Sequence, residues 1–425
     1  MSQGSLLSDE LLGHLMAVGH VDVLVGVPTL DNATTVGGVV RAVHESFASH
    51  FLRQRTVLLN CDGGSSDGTP EVVRQASLKS DETFIAPQAL RTIHRISVPY
   101  HGVPGKAAAL RTLFAAAELS QARAVAVFDP DVTSVTPDWV ERLVRPIFDG
   151  RADFVAPVFP RHPLDGTLVT QLVRPAMRAA YGHRMQEPLA SEFACSGAFA
   201  GHCLAQDVWD GPLSNYAIDL WLTGSAFAGG FRCAQAPLGP RTLGAHAARP
   251  GLPEVFRQVV GSLFACLQTH ESYWPQRNAS DEVPTYGDLA PAPDEPAQVD
   301  PQSMLSSFRT GVPDLTPLLR DVLSVETLAR VDELARCADG AFRFDDELWV
   351  ATVYEAAAAW RRGALHREHL VSALVPLYLG RTASFLCEND KSDAAAVGER
   401  LEQLCRRYES AKPRLVHGWT AASER

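Results

Sequence analysis

The sequence predicts an α/β domain, a mainly parallel sheet with helices on both faces, followed by a mostly helical C-terminal part. Three observations predict it. Short apolar runs and helix-period runs alternate four times between residues 22 and 131. Each apolar run leads into a loop rich in Gly, Asp or Pro. Beyond residue 250, apolar and charged residues recur at helical period over 314–337, 345–361, 366–379 and 391–411.

Residues 6–18 read as a short amphipathic helix. Asp22 to Pro28 is the first strand, cut by its proline, with Thr29 to Asn32 as its loop. Thr34 or Thr35 caps a helix to about His50, whose apolar face carries Val36, Val39, Val40 and Val43. Thr56 to Asn60 is the second strand and Cys61 to Thr69 its polar exit; Thr69 then Pro70 starts the next helix. Ile93 to Val98 is the third strand, and residues 102–107 turn into a helix over Ala107 to Leu119.

The fourth strand, Val125 to Phe128, is apolar throughout, as a strand covered on both faces is, and runs straight into Asp129-Pro-Asp131. Residues two apart in extended backbone point the same way, so the two carboxylates are expected to converge. Thr133 or Asp138 begins the following helix, which covers 139–148, and Asp153 to Val158 is another strand. The stretch 161–250 is mixed, with one strongly helical patch at 214–228, and 253–272 reads as a long helix. Pro, Asp, Glu and Ser crowd 275–302, which predicts a linker, and the polar tail 412–425 is expected to fray. The predicted division is a domain over 1–250 and a helical part over 251–425.

Composition narrows the function. A length of 425 residues suits one large domain with a smaller one. With 46% hydrophobic and 20% charged residues, the chain has the make-up of a globular protein. No run of eighteen apolar residues and no basic, apolar leader is seen, so a cytoplasmic protein without a membrane span is expected. The eight cysteines lack zinc spacing and read as reduced thiols. A net charge of −11 argues against a nucleic-acid partner while allowing a small basic pocket for an anionic small molecule. The helical part leaves self-association open.

Four polar clusters, Pro28 to Asn32, Asp62 to Asp67, Gly105-Lys106 and Asp129 to Asp131, fall at the C-terminal ends of the first four strands. In a doubly wound sheet those ends face one crevice. Two close carboxylates call for a cation, and hard oxygen donors suit Mg²⁺ or Mn²⁺ carrying a diphosphate. Asp62 or Asp67 is a candidate acceptor for a base N–H, and Lys106 at a helix start a candidate cation for phosphate. The plainer readings are a helix cap for the Asp pair and a tight turn for the Asp62 loop. No Gly-Lys-[Ser/Thr] closes that loop and no GxGxxG follows the first strand, so neither a P-loop enzyme nor a dinucleotide dehydrogenase is indicated.

VGVPTLDN, DGGSSDGT, GVPGKAAAL and FDPD, in this order and spacing, resemble the nucleotide-sugar domain of GT-A glycosyltransferases. FPRHPLDGTLVTQLVRP (159–175), MQEPLASEF (185–193), SNYAIDLWLTG (214–224) and GAHAARPGLPEVFRQVVGSLFACLQ (244–268) resemble blocks of the mannosylglycerate synthases. The glucosyl-3-phosphoglycerate synthases are similar over the same region, roughly residues 20–270. The resemblance implies a GT-A fold and a retaining, metal-dependent transfer of mannose or glucose to D-glycerate or 3-phosphoglycerate. The donor would be GDP-mannose, GDP-glucose, UDP-glucose or ADP-glucose.

It also implies roles. Asp129 would lie toward the ribose, and Asp131 would hold the Mn²⁺ or Mg²⁺ with His246 as a further ligand. Pro28, Thr29, Leu30 and Asp62 would line the base, and Lys106 would touch the diphosphate. Arg161 would clamp the acceptor carboxylate, helped by Thr170. Asp219 would contact the transferred sugar or the acceptor, with Glu192 beside the substrates. Arg174 and Arg184 are spare cations for an acceptor phosphate. Two departures stand out. Asp31-Asn32 replaces the Asn-Glu of the glucosyl enzymes, which leaves the base open, and no Tyr follows His246. His366 and His369 read as part of a solvated helical face, and the tryptophans as packing residues.

Two rival functions stay open. A sugar nucleotidyltransferase would use the same sheet, lysine and metal but release pyrophosphate. A catalytically silent nucleotide-binding protein would bind nucleotide without metal-dependent turnover.

Overall fold

The computed structural model describes residues 7–83, 94–99, 106–209, 218–244, 251–293, 295–296 and 299–421. In chain order the first elements are α1 (Asp9–Val18), β1 (Val23–Thr29), α2 (Val36–His50), β2 (Thr56–Asp62), α3 (Thr69–Thr83) and β3 (His94–Pro99). Then come α4 (Lys106–Leu119), β4 (Ala124–Val127), α5 (Pro137–Phe148), β5 (Phe154–Val158), a π-helical turn (Val169–Val173), α6 (Arg174–Tyr181) and β6 (His183–Arg184). The middle holds β7 (Phe193–Ser196), α7 (Gly197–Leu204), α8 (Ile218–Ala228), β8 (Cys233–Pro237), α9 (Leu252–Thr269) and β9 (Asp281–Glu282). Six helices finish the chain: α10 (Pro301–Val322), α11 (Val325–Arg336), α12 (Asp346–Arg362), α13 (Arg367–Ala373), α14 (Val375–Asn389) and α15 (Ala394–Ala421).

These elements form two compact units. One comprises Met1–Pro160, Leu189–Arg249 and Val283–Pro291; the other comprises Arg161–Pro188, Pro250–Glu282 and Ala292–Arg425. The first unit is a seven-stranded sheet in the order β3-β2-β1-β4-β7-β5-β8. All neighbours run parallel except β7, which is antiparallel to both β4 and β5. One face of the sheet buries Val23, Val25 and Val27 against Val36, Val40 and Val43 of α2 and Val140 and Val144 of α5. On α4 the side chain of Leu113 presses so close to β1 that a Cβ at Gly26 would stand 2.5 Å from it. A fold of this GT-A kind is therefore present, as the sequence predicts, with one antiparallel strand in a mainly parallel sheet.

Several boundaries differ for identifiable reasons. β1 runs through Pro28 instead of ending there. Gly26 O accepts from the Phe128 N–H on the β4 side, while Val27 O accepts from the Asn60 side-chain amide on the β2 side. Peptide groups alternate along a strand, so Pro28 faces the β4 side, where β4 has already ended at Val127, and no ladder donor is missing. Helix α5 starts at Pro137 with Thr136 as its N-cap, not at Thr133 or Asp138. Strand β7 escapes the sequence pattern because four residues, Phe193–Ser196, are too short for a periodicity signal.

The second unit is largely helical. Its α14 packs closely on α10: a Cβ at Gly380 would lie 2.5 Å from Phe308, and one at Gly311 2.5 Å from Pro376. By length and composition the stretch Arg367–Asn389 would pass for a membrane span, but 72% of its apolar window is buried inside the protein. The helix over Arg174–Tyr181, with its π-helical lead, lies in a region whose sequence pattern is mixed. Expected as a linker, 275–302 instead holds a 3₁₀ turn and β9, which pairs with β6. Within the first unit, Val283–Pro291 bridges back to the sheet through Thr285 and Gln235. Of the tail expected to fray, 412–425, residues 412–421 are the end of α15, where Lys412 and Trp419 are buried, and the rest lies outside the described residues. Tertiary packing overrides propensity there, since Pro413 lies inside the helix.

Arg178 of α6 shows how α15 is held. Its Nη1 and Nη2 donate to Glu402 at 2.7 and 3.0 Å, and its Nε and Nη2 to Glu409 at 3.0 and 3.1 Å. Replacing Arg178 by Met is expected to destabilise the unit by about 2–3 kcal/mol, after discounting for the partly exposed carboxylates. Denaturant unfolding followed on the full chain measures it. The pH dependence has a definite sign. The hydrogen bonds from Arg178 hold the Glu402 carboxyl below the usual carboxylate range. Its stabilisation is therefore complete above the unfolded value of about 4.3 and is lost as pH falls through the lower folded value. Arg178→Met should flatten that acid limb of the stability curve.

Candidate active site

At the C-terminal edge of the sheet, the loops after β1 and β2 are joined by hydrogen bonds. Asp62 accepts from Thr29 Oγ1 and Ser65 Oγ on Oδ1, and from the Gly64 and Ser65 N–H groups on Oδ2. Asp31, in the left-handed region at φ 55°, accepts from the Ser66 N–H, and its own N–H donates to Ser65 Oγ. Asp67 accepts from the Ala33 N–H and from both the N–H and hydroxyl of Thr69. Slight burial pushes the Asp67 carboxyl up, but those donors outweigh it and leave the group below its ordinary value. The two candidate base acceptors are thus engaged in shaping the loops. A base N–H at Asp62 would compete with four existing donors, which fill the usual capacity of a carboxylate. Thr29 and Pro28 are buried, while Leu30 is exposed beside them.

Asp129 and Asp131 lie beyond the end of β4 in a turn, so the extended-backbone argument for their convergence does not apply. The turn itself organises them. Asp129 Oδ1 accepts from the Asp131 N–H at 2.9 Å. Asp131 Oδ1 accepts from Asn32 Nδ2 and from Thr35 Oγ1, both at 2.9 Å. Thr35 is the N-cap of α2 and makes no capping bond with its side chain. Its hydroxyl instead orients the carboxylate.

A second loop, the exit of β8, is fastened to the same turn. Val132 bridges Leu243, the Thr133 N–H donates to Thr242 O at 2.9 Å, and the Gly244 N–H donates to Asp131 O at 2.8 Å. A Cβ on Gly244 would stand 2.4 Å from Thr35 Cγ2, so only glycine permits this approach. His246, expected as a metal ligand, lies outside the described residues, two positions beyond Gly244. Among the described residues, no group of three or more His, Cys, Asp or Glu side chains is placed to hold a metal. His366 is the N-cap residue of α13 and packs by ring contact on His369.

Arg241, in the β8 exit loop, is not among the residues the sequence singles out. Its Nη2 reaches Asp129 Oδ2 at 3.1 Å, and its Nε and Nη2 hold Glu192, which is fully buried. Burial pushes the Glu192 carboxyl up, with Arg241 opposing and Asp129 reinforcing that rise. Glu192 therefore serves as an anchor for Arg241. The signal available is positional: β8 is another parallel strand, and its exit lies at the same edge as the four clusters. Lys106 and Asp219, both expected at the site, are brought together in an ion pair of 2.6 Å, and Lys106 Nζ also donates to Ser191 O at 3.3 Å.

Arg161 and Thr170 belong to the second unit, although the predicted 1–250 division places them with the sheet. Arg161 pairs with the buried Glu187 at 2.8 Å. Arg174 donates to Gln186 O, and burial lowers its pKa, with Glu187 opposing and Arg161 adding to the depression. Thr170 is buried in the π-helical turn and its hydroxyl bonds back to Gly166 O. Arg184 is occupied elsewhere, by Glu282 at 2.7 Å and by Ser280. Gly166 has φ of +62°, and a Cβ there would lie 1.8 Å from Arg161 Nη1. Gly166→Ala is expected to cost about 1–2 kcal/mol through its left-handed backbone. It should also displace the Arg161 guanidinium; if Arg161 clamps the acceptor, as the resemblance implies, the acceptor KM should rise more than kcat falls in steady-state assays.

Residues 25–203 match the family described as Glycosyl transferase family 2. This stretch is a glycosyltransferase domain. It contains Asp62, Lys106, Asp129, Asp131 and Glu192, while Arg241 and His246 follow it. The chain is also similar to crystal structures of glucosyl-3-phosphoglycerate synthase from Mycobacterium tuberculosis. The complex with Mn²⁺, uridine diphosphate and phosphoglyceric acid is 22% identical, with 61% of this chain and 82% of that chain covered and a TM-score of 0.41. The complex with Mg²⁺ and uridine diphosphate gives 22%, 61%, 83% and 0.41 for the same measures. A further structure, described only as a mycobacterial protein, gives 22%, 64%, 80% and 0.41. No curated protein matches the chain.

Proposed function

We propose that this glycosyltransferase moves a hexosyl group, mannose or glucose, from a nucleoside diphosphate sugar to D-glycerate or a phosphorylated relative, with retention of configuration. The observation that carries the reading is the fastening of the β8 exit loop to the Asp129–Asp131 turn at the C-terminal edge of the sheet. It holds Gly244, two residues before His246, against the main chain of Asp131 and the side chain of Thr35. Hard carboxylate oxygen beside an imidazole suits Mn²⁺ or Mg²⁺, and the Asp131 carboxylate is already oriented by Asn32 and Thr35. When bound, that cation would neutralise charge developing on the diphosphate leaving group.

The chain's own residues do the rest. Leu30 offers an exposed apolar surface for the base. Lys106, held at the start of α4 by Asp219, presents its ammonium and the helix N-terminus to phosphate oxygens. Asp219 is engaged with Lys106 and is a poor candidate for a covalent nucleophile. Attack from the face of the departing diphosphate therefore fits best, with a phosphate oxygen taking the acceptor proton. In the second unit, Arg161 pairs with the buried Glu187 and Arg174 lies near the same carboxylate, and guanidinium groups of this kind suit an acidic acceptor.

The test is nucleoside diphosphate release from GDP-mannose, GDP-glucose, UDP-glucose and ADP-glucose, with Mn²⁺ or Mg²⁺, with and without D-glycerate and 3-phosphoglycerate. Release requiring metal and one of these acceptors supports the proposal and names both substrates. Pyrophosphate release from a nucleoside triphosphate would establish a nucleotidyltransferase instead. Nucleotide binding without turnover from any donor would overturn the transfer reading.

A further inference from the structure

The helical unit contains a cavity lined by none of the residues assigned to sugar transfer. Its volume is about 460 Å³, and it is bounded by one face of α12, one face of α15 and the C-terminal end of α10. Side-chain size creates the space. Ala351 and Ala358 of α12 stand at its walls with Ala411 and Gly418 of α15. The helices meet where a Cβ on Gly418 would lie 3.2 Å from Ala358 Cβ. Val350 and Tyr354 complete an apolar floor, with the Tyr354 hydroxyl tied to Tyr408 O at 2.7 Å.

Around this floor stand Arg320, Arg362, Arg407 and Arg414. Arg407 and Arg414 are seven residues apart and so share a face of α15. Arg320 and Arg362 lie in the last turns of α10 and α12. Among the described residues, none of the four guanidiniums is within ion-pair distance of a carboxylate. Other arginines of the same unit, Arg178, Arg330, Arg361 and Arg381, each have such a partner. Three carboxylates also line the cavity, Asp321, Glu347 and Glu355. Glu355 is taken up at the start of α11, accepting from the Ser324 N–H and from the Ser324 and Thr327 hydroxyls. With Glu355 engaged, the four arginines outnumber the two other carboxylates of the lining, Asp321 and Glu347, so the rim carries a net positive charge that an anion would complement.

We propose that this cavity binds a small organic anion, an apolar body carrying a phosphate or carboxylate group. The planar guanidinium fork matches either head group, the alanine-lined floor accepts the body, and the volume is that of a small-molecule site. The site is separate in its residues from the transferase reading and stands whether or not that reading holds.

Binding of 1-naphthyl phosphate, dodecanoate and inorganic phosphate to the full chain, followed by titration calorimetry, tests it. At least one of the two organic anions should bind saturably at one site, at least tenfold tighter than inorganic phosphate. The phosphate and carboxylate arms show which head group is preferred. Arg407→Gln combined with Arg414→Gln, both at exposed positions, should weaken binding at least tenfold without lowering the melting temperature. Ala411→Phe should abolish binding by filling the cavity; if that variant does not fold, the arginine pair decides. Absence of saturable binding by either organic anion overturns the proposal. So does binding that survives the arginine substitutions, or inorganic phosphate binding as tightly as the organic anions.

Discussion

Asp131→Ala should reduce sugar transfer by about 10³-fold or more, the scale expected when several kcal/mol of charge stabilisation is removed from a departing diphosphate. The fold should persist. The contact of Asp131 with the β8 exit loop is made by its main-chain O, which accepts from the Gly244 N–H and is untouched by the substitution. What is lost is the carboxylate that accepts from Asn32 and Thr35. Leaving those two donors without this partner should lower stability by only about 1–3 kcal/mol. Nucleoside diphosphate release at saturating metal, read beside the melting temperature, separates the two effects. Near-native turnover at saturating metal would remove Asp131 from the metal site.

Arg241→Met should have the larger effect on stability, about 3–5 kcal/mol, because it strips the hydrogen-bonded counter-charge from a fully buried Glu192 and leaves only the field of Lys106. The cost depends on pH with a fixed sign. Without the guanidinium, burial raises the folded-state pKa of Glu192 further above its unfolded value, so the folded variant binds more protons. Its stability then falls as pH rises past the unfolded carboxylate range. The deficit relative to the unsubstituted chain should be smaller near pH 5 than near pH 8 in denaturant titrations. Adding Glu192→Gln should recover much of the stability, since it removes the stranded charge. Activity should stay low in the double variant, because Asp129 still lacks the Arg241 contact that orients it. Recovery of both stability and activity would show that Arg241 only balances Glu192.

Much of this site is legible in the amino-acid sequence. The clusters after β1, β2 and β4, and Lys106 at the start of α4, follow from apolar runs that stop at polar residues, because a parallel sheet presents its strand ends to one side. Helical character beyond residue 300 is legible too, but not its divisions: the run read over 314–337 is the end of α10 with α11, and that over 366–379 is α13 with the start of α14. Legibility fails where the signal is short or where packing overrules local preference. The four residues of β7 leave no period to read, and Pro413 lies within a helix that continues because its neighbours are buried. The return of Val283–Pro291 to the sheet is hidden because its composition resembles that of a linker.

The kinds of group available are thus set by the chain's local chemistry: hard carboxylates, one lysine at a helix start, and arginines. Which of them meet is decided only by tertiary contact. Asp129 and Asp131, expected to converge along a strand, are instead arranged by a turn whose partners, Asn32, Thr35, Arg241 and Gly244, come from the distant loops after β1 and β8. Lys106 finds Asp219, and Arg161 finds Glu187, in the same manner. Periodicity reports which face of an element is buried, because that depends on neighbours a few residues away. It carries no information about which distant side chain stands opposite, because that follows from sheet order and loop closure.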